Sequence, residues 1–145
     1  MGTRDRSVSA DLLAVSKRER PRWLALLTLL TGVAAFVWLS LEENSLWSVL
    51  SLGGAAAVLS VLHMHYAYAL WTRFRRGLDA ALIGGLIGGG TVGTAVCLMF
   101  LKTAAHAHIV PDYSLEQMLG MLARLPTWTA AGILLGAAFS LLRWK

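Results

Sequence analysis

The sequence predicts an all-α, polytopic membrane protein: four transmembrane helices in a compact bundle, plus a short amphipathic helix on the outer surface. Three observations carry this. Four long apolar stretches have no charge in their interiors, and each approaches the roughly 20 residues that a bilayer crossing needs. Of the thirteen Lys and Arg residues, eleven fall on one side of the resulting arrangement. All six tryptophans fall near proposed span ends, where an apolar ring with a polar N–H is best placed.

Composition points the same way. Of 145 residues, 57% are apolar and 14% charged, against roughly 25% charged in soluble domains. The net charge of +5 and the pI near 10 do not imply nucleic acid as a partner, because the basic residues flank apolar segments and make no continuous footprint. They suit the anionic cytoplasmic leaflet instead. One cysteine, Cys97, lies inside an apolar run, which excludes a disulfide framework and a Cys pair for metal or redox work.

Residues 1–22 are polar and contain Lys17, Arg18, Arg20 and Arg22 just before the first apolar run. They read as a cytoplasmic tail, since the charged stretch is long, carries Asp5, Asp11 and Glu19, and has no small-residue cleavage site. Residues 23–145 form the transmembrane domain. Its first span covers residues 23–40, and Glu42, Glu43 and Asn44 mark a tight outer turn. The second covers 47–71 and returns the chain to Arg73, Arg75 and Arg76. The third covers 79–101 and stops at Lys102; the fourth, 127–142, is short and ends at Arg143, Trp144 and Lys145.

Loop charges set the orientation, because short loops rich in Lys and Arg stay cytoplasmic. Six lie in the N-terminal tail, three in the loop at 72–79 and two in the C-terminal tail, while only Lys102 and Arg124 fall opposite. The expectation is a plasma (inner) membrane protein with both termini in the cytoplasm.

The outer loop at 103–126 carries a helical pattern in its second half. Ser114 followed by Gln117 is a capping-box start. Leu115, Met118, Leu119, Leu122 and Leu125 then recur at helical spacing, with Glu116, Gly120 and Arg124 on the opposite face. This predicts a surface helix over 115–124 lying on the membrane. The competing reading extends the fourth helix backward and breaks it at Pro126.

Two motifs bear on function. In the third span Ala81, Gly85, Gly89, Gly93 and Cys97 place a small residue at every fourth position, and Gly132 and Gly136 supply a matching row in the fourth. Such faces let helix backbones approach closely in lipid, within one chain or between copies. Gly88, Gly90 and Gly93 also spell the dinucleotide fingerprint, but that motif requires a βαβ unit that this chain does not predict.

The second motif is two H-x-H pairs, His63 with His65 and His106 with His108, the candidate ligands for a metal ion or haem and the candidate proton-responsive groups. On a helix, residues two apart diverge by about 200°, so His63 and His65 cannot chelate one ion. An extended His106–His108 segment would share a face and can. The pairs fall at opposite ends of the bilayer, so no single ion joins them within one chain.

No Asp, Glu, Lys or Arg lies inside a span, although ion-coupled transporters generally need one there. No nucleophile–base group or paired carboxylates appear either. In size and span count the chain is similar to the small multidrug exchangers and the dual-topology fluoride channels. It lacks the embedded glutamate of the first and the Asn- and Phe-bearing motifs of the second.

The expected function is therefore a non-enzymatic accessory, assembly or structural subunit without a resident cofactor. It would contact the lipid bilayer and either a second copy or other membrane subunits. The alternatives are a small oligomeric channel or transporter with a His-lined outer mouth, and a His-ligated metal or haem subunit.

Overall fold

The computed structural model describes residues 21–68, 76–106 and 111–142. Among these it is all-helical: α1 (Arg22–Ser40), α2 (Leu46–Tyr68), α3 (Arg76–His106), α4 (Leu115–Leu122) and α5 (Leu125–Leu142). Four segments are long and apolar enough to cross a membrane, the fourth being Leu115–Leu142 taken together. Most of the polar tail at 1–22, the loop with Arg73 and Arg75, and Trp71, His108 and Trp144 lie outside the described residues.

The four long stretches become helices because their Leu, Ala, Val and Gly residues bring almost no charge into the interior, Arg124 in the fourth excepted, and the backbone bonds itself, as apolar surroundings demand. Helix α1 ends where the Leu41 N–H turns back to the Trp38 carbonyl at 3.2 Å. A five-residue turn follows. The Ser48 hydroxyl, in the first turn of α2, donates back to a Glu43 carboxylate oxygen of this turn at 2.8 Å, placing negative charge at the start of α2, where the helix dipole favours it.

Helix α3 is the centre of the bundle, packing against all four others. Two kinds of packing hold it. Near the Lys102 end, large side chains interlock: Trp38 from α1, Val49 from α2, Val92, Ala95 and Met99 from α3, Tyr113 from the following turn and Met121 from α4 form one buried cluster. Toward the Arg76 end, α3 meets α5 through bare backbone. A Cβ on Gly84 would fall on the Gly132 carbonyl, one on Gly88 on the Trp128 carbonyl, and one on Gly136 on the Ala80 carbonyl. On α2, Gly53 makes a similar approach, its added Cβ 2.8 Å from the Thr91 carbonyl of α3.

Helix α4 starts with the capping box the sequence predicts. The Gln117 N–H donates to the Ser114 hydroxyl at 3.2 Å, and the Ser114 N–H donates to the Gln117 side-chain oxygen at 2.8 Å. The helix is amphipathic, and one edge of its apolar face packs on the Lys102 half of α3, with Met121 buried and Met118 beside it, while Leu115, Leu119 and Leu122 stay exposed. Ala123 and Arg124 then lead directly into α5, the Arg124 N–H closing a tighter bond to the Met121 carbonyl. Pro126 sits in the first turn of α5, where its missing N–H is tolerated, and this places the break just before it. Ser114→Ala removes the cap and is expected to lower protection of the Leu115–Met118 amides from hydrogen exchange by about 1 kcal/mol. Unchanged exchange would show that packing on α3 alone holds the helix.

Candidate functional site

Among the described residues, polar chemistry gathers at the Lys102 end, where the α1–α2 turn, the last turns of α3 and residues 111–114 converge. Lys102 is fully buried. Its ammonium donates to the Trp38 carbonyl at 3.2 Å and to the Glu43 carbonyl, and lies 4.3 Å from the centroid of the Trp38 ring. The first acceptor ends α1 and the second lies in the following turn, so one side chain from α3 closes the α1–α2 hairpin.

Tyr113 also packs against Trp38, with ring centroids 6.5 Å apart. Its backbone N–H donates to the Thr103 hydroxyl at 3.2 Å, tying the segment after α3 back to α3. Burial, with the nearby Asp112 and Glu43 carboxylates adding to it, pushes the Tyr113 phenol up to about 12, so it stays neutral at ordinary pH. Beside it the His106 imidazole Nδ1 donates to Asp112 Oδ2. This contact brackets the segment at 107–110.

The sequence-predicted site residues divide by position. His106 joins the Lys102 end; His108 is outside the described residues. His63 donates from Nδ1 to the Leu59 carbonyl at 2.9 Å, within its own helix, and His65 sits edge-on to Tyr66 with centroids 5.3 Å apart. These two lie on the half of α2 farther from Lys102. Among the described residues no three His, Cys, Asp or Glu side chains stand together as a metal-binding group.

The glycines divide too. Gly132 and Gly136 make backbone contact with α3. Gly85 and Gly89 face α5 side chains: an added Cβ would lie 2.8 Å from Ile133 Cγ1 and 2.8 Å from Thr129 Oγ1, respectively. Around Gly93 nothing lies within 4 Å. The tightest row on α3 is thus Ala80, Gly84 and Gly88, one position before the row beginning at Ala81.

No protein-family model, curated protein or solved structure matches this chain. The site therefore stands on its own chemistry. Lys102, Trp38 and Tyr113 were not picked out as a site by sequence reasoning. A signal was present: Lys102 is followed by Thr103, Ala104 and Ala105, so helical pattern continues past the charge instead of stopping at it.

What this arrangement does is mechanical. The ammonium is held by two carbonyls and a ring face, and hydroxyls in the apolar helices bond carbonyls one turn back: Thr28 to Leu24, Ser60 to Ala56, Thr91 to Ile87, Thr94 to Gly90 and Thr129 to Leu125. Between α3 and α4 runs an open groove of about 460 Å³, lined by Val96, Phe100, Leu115 and Leu119 among others, with exposed Cys97 on its wall.

Proposed function

We propose that this chain is a multi-pass integral membrane protein, with both termini cytoplasmic, that serves as a non-enzymatic accessory or assembly subunit. One observation carries the reading: the closest glycine contacts join this chain's own helices to one another, and the hydroxyls of the apolar helices bond carbonyls of their own helix. The backbone contacts of Gly84 with Gly132 and of Gly88 with Trp128 and the hydroxyl bonds within the helices all act internally. The result is a preassembled platform whose outer surface is rich in exposed Leu, Val and Phe, such as Leu29, Phe36, Leu134 and Phe139. That surface suits lipid and the flanks of other membrane subunits. The gathering of eleven of the thirteen basic residues on one side supports the orientation.

Cross-linking in the native membrane followed by mild-detergent purification tests this. The expected result is a fixed stoichiometry with one other membrane protein. A chain isolated alone that supports metal-dependent flux into proteoliposomes, lost in the His106→Ala/His108→Ala double variant, would establish the channel reading instead. A Soret band in the purified protein would establish the haem reading.

A further inference from the structure

Arg124 stands at the join between α4 and α5, and its depth follows from the register of the fold. The pairings Ala80 with Gly136, Gly84 with Gly132, Gly88 with Trp128 and Thr103 with Tyr113 keep one antiparallel alignment along α3. Carried to Arg124, that alignment places it level with Val92. Val92 lies twelve residues from Ala80 and eleven from Thr103, about 18 and 17 Å along the axis at 1.5 Å per residue. Arg124 is therefore level with the middle of α3, inside a segment, Leu115–Leu142, that is long and apolar enough to cross a membrane. It is exposed, and among the described residues its guanidinium has no hydrogen-bond or ion-pair partner.

A guanidinium cannot lose its proton, and an unpaired charge at the middle of a bilayer is disfavoured unless it finds a carboxylate or reaches the headgroups. We infer that Arg124 is a docking charge, paired in the assembled state with a carboxylate near the middle of a transmembrane helix of a different membrane protein. The inference rests on the membrane-subunit reading above and names the chemistry of the partner.

Among its described residues, a second copy of this chain does not supply that carboxylate. Copies inserted in one orientation present the same residues at the same depth, and no acidic residue of the described chain is level with Arg124. Glu116 is eight residues nearer the Lys102 end, about 12 Å. Both side chains lean toward their helix N-terminus, so Glu116 points away from Arg124. Asp79 is level with residues beyond Gly136, on the other side of the midpoint. Gly120, one turn before Arg124 on the same face, has nothing within 4 Å, so a partner helix can lie close beside the charge.

The test uses the full chain in neutral phosphatidylcholine vesicles with a probe helix of 21 Leu and Ala residues bearing one Glu at its centre. Energy transfer between labelled chain and probe reads association. Wild type is expected to bind the Glu probe about tenfold more tightly than a Gln probe or one with Glu moved to its end, matching 1–2 kcal/mol for a polar contact between helices. Arg124→Leu should erase the preference and Arg124→Lys retain part of it.

Depth is read separately: with Cys97→Ser in place, Arg124→Cys should react with a membrane-impermeant maleimide far more slowly than Ser114→Cys. Equal binding of all probes, or preference surviving in Arg124→Leu, overturns the pairing, while slow labelling of the Arg124→Cys variant leaves the membrane reading intact. Arg124-dependent binding only to vesicles with anionic lipid also overturns it, assigning the charge to headgroups. Fast labelling of Arg124→Cys removes both the depth and the proposal.

Discussion

Gly132→Leu is expected to separate α5 from α3 and to lower stability in mild detergent by at least about 3 kcal/mol, the upper end of ordinary overpacking. The size of the effect comes from what the new side chain meets. At Gly132 it is the Gly84 carbonyl, part of a helix backbone that cannot rotate aside, and Gly84 in turn faces the Gly132 carbonyl. Both helices must move apart, and in an apolar surrounding close dispersion contact is what holds them. Gly93→Ala is the matched control. With nothing within 4 Å it should be neutral or stabilising by up to about 1 kcal/mol, the helix-propensity gain over glycine. Gly85→Ala falls between, because Ile133 Cγ1, at 2.8 Å from the added carbon, belongs to a side chain that can yield. Unfolding followed by tryptophan fluorescence reads all three. Similar midpoints for Gly132→Leu and Gly93→Ala would show that the α3–α5 contact is not the one that holds the bundle.

That comparison also shows what the sequence made legible and what it did not. The period of four in the third span was visible, and so was its purpose. Its phase was not, because glycines at 84, 85, 88, 89, 90 and 93 offer two adjacent rows, and only the partner helix selects between them. The helix starting at Ser114 was legible from its capping box, since that signal is local. The surface it packs on is a tertiary fact: an apolar stripe says that one face is covered, without saying whether lipid or α3 covers it.

Tryptophan is a similar case. Trp23 and Trp47 are exposed near helix ends, as the interface rule expects, and Trp23 packs edge-on against Tyr66. Trp38 is only 5% exposed because Lys102 and Tyr113 both pack against it, and the Trp128 carbonyl lies against Gly88, well down α3. Lys102 was legible only as a charge ending an apolar run. Its acceptors are backbone carbonyls, which carry no side-chain signature, so no residue pattern announces the contact.

Lys102→Met is expected to loosen the α1–α2 hairpin while leaving the α3–α5 contact in place. Burying an ammonium is costly, and replacing a buried ion pair by apolar residues is often neutral or stabilising. Here the balance differs, because the ammonium serves groups that methionine leaves behind. The Trp38 carbonyl keeps the Leu41 N–H as a partner, but the Glu43 carbonyl loses the donor it has, and an unsatisfied acceptor costs about 1–3 kcal/mol when buried and less at this part-buried one. The cation–ring contact is lost as well, at about 0.5–2 kcal/mol. Relief from burying the charge offsets part of this, giving a net loss of about 2 kcal/mol in Lys102→Met. Lys102→Arg should not restore the wild-type value, since a planar fork does not reproduce a compact ammonium between two carbonyls and a ring. Hydrogen exchange locates the effect: the Leu41 and Val49 amides should lose protection while amides near Gly84 and Gly132 keep theirs. Wild-type protection at Leu41 and Val49 in Lys102→Met would mean that the apolar cluster around Val49 and Met99 closes the hairpin without the charge.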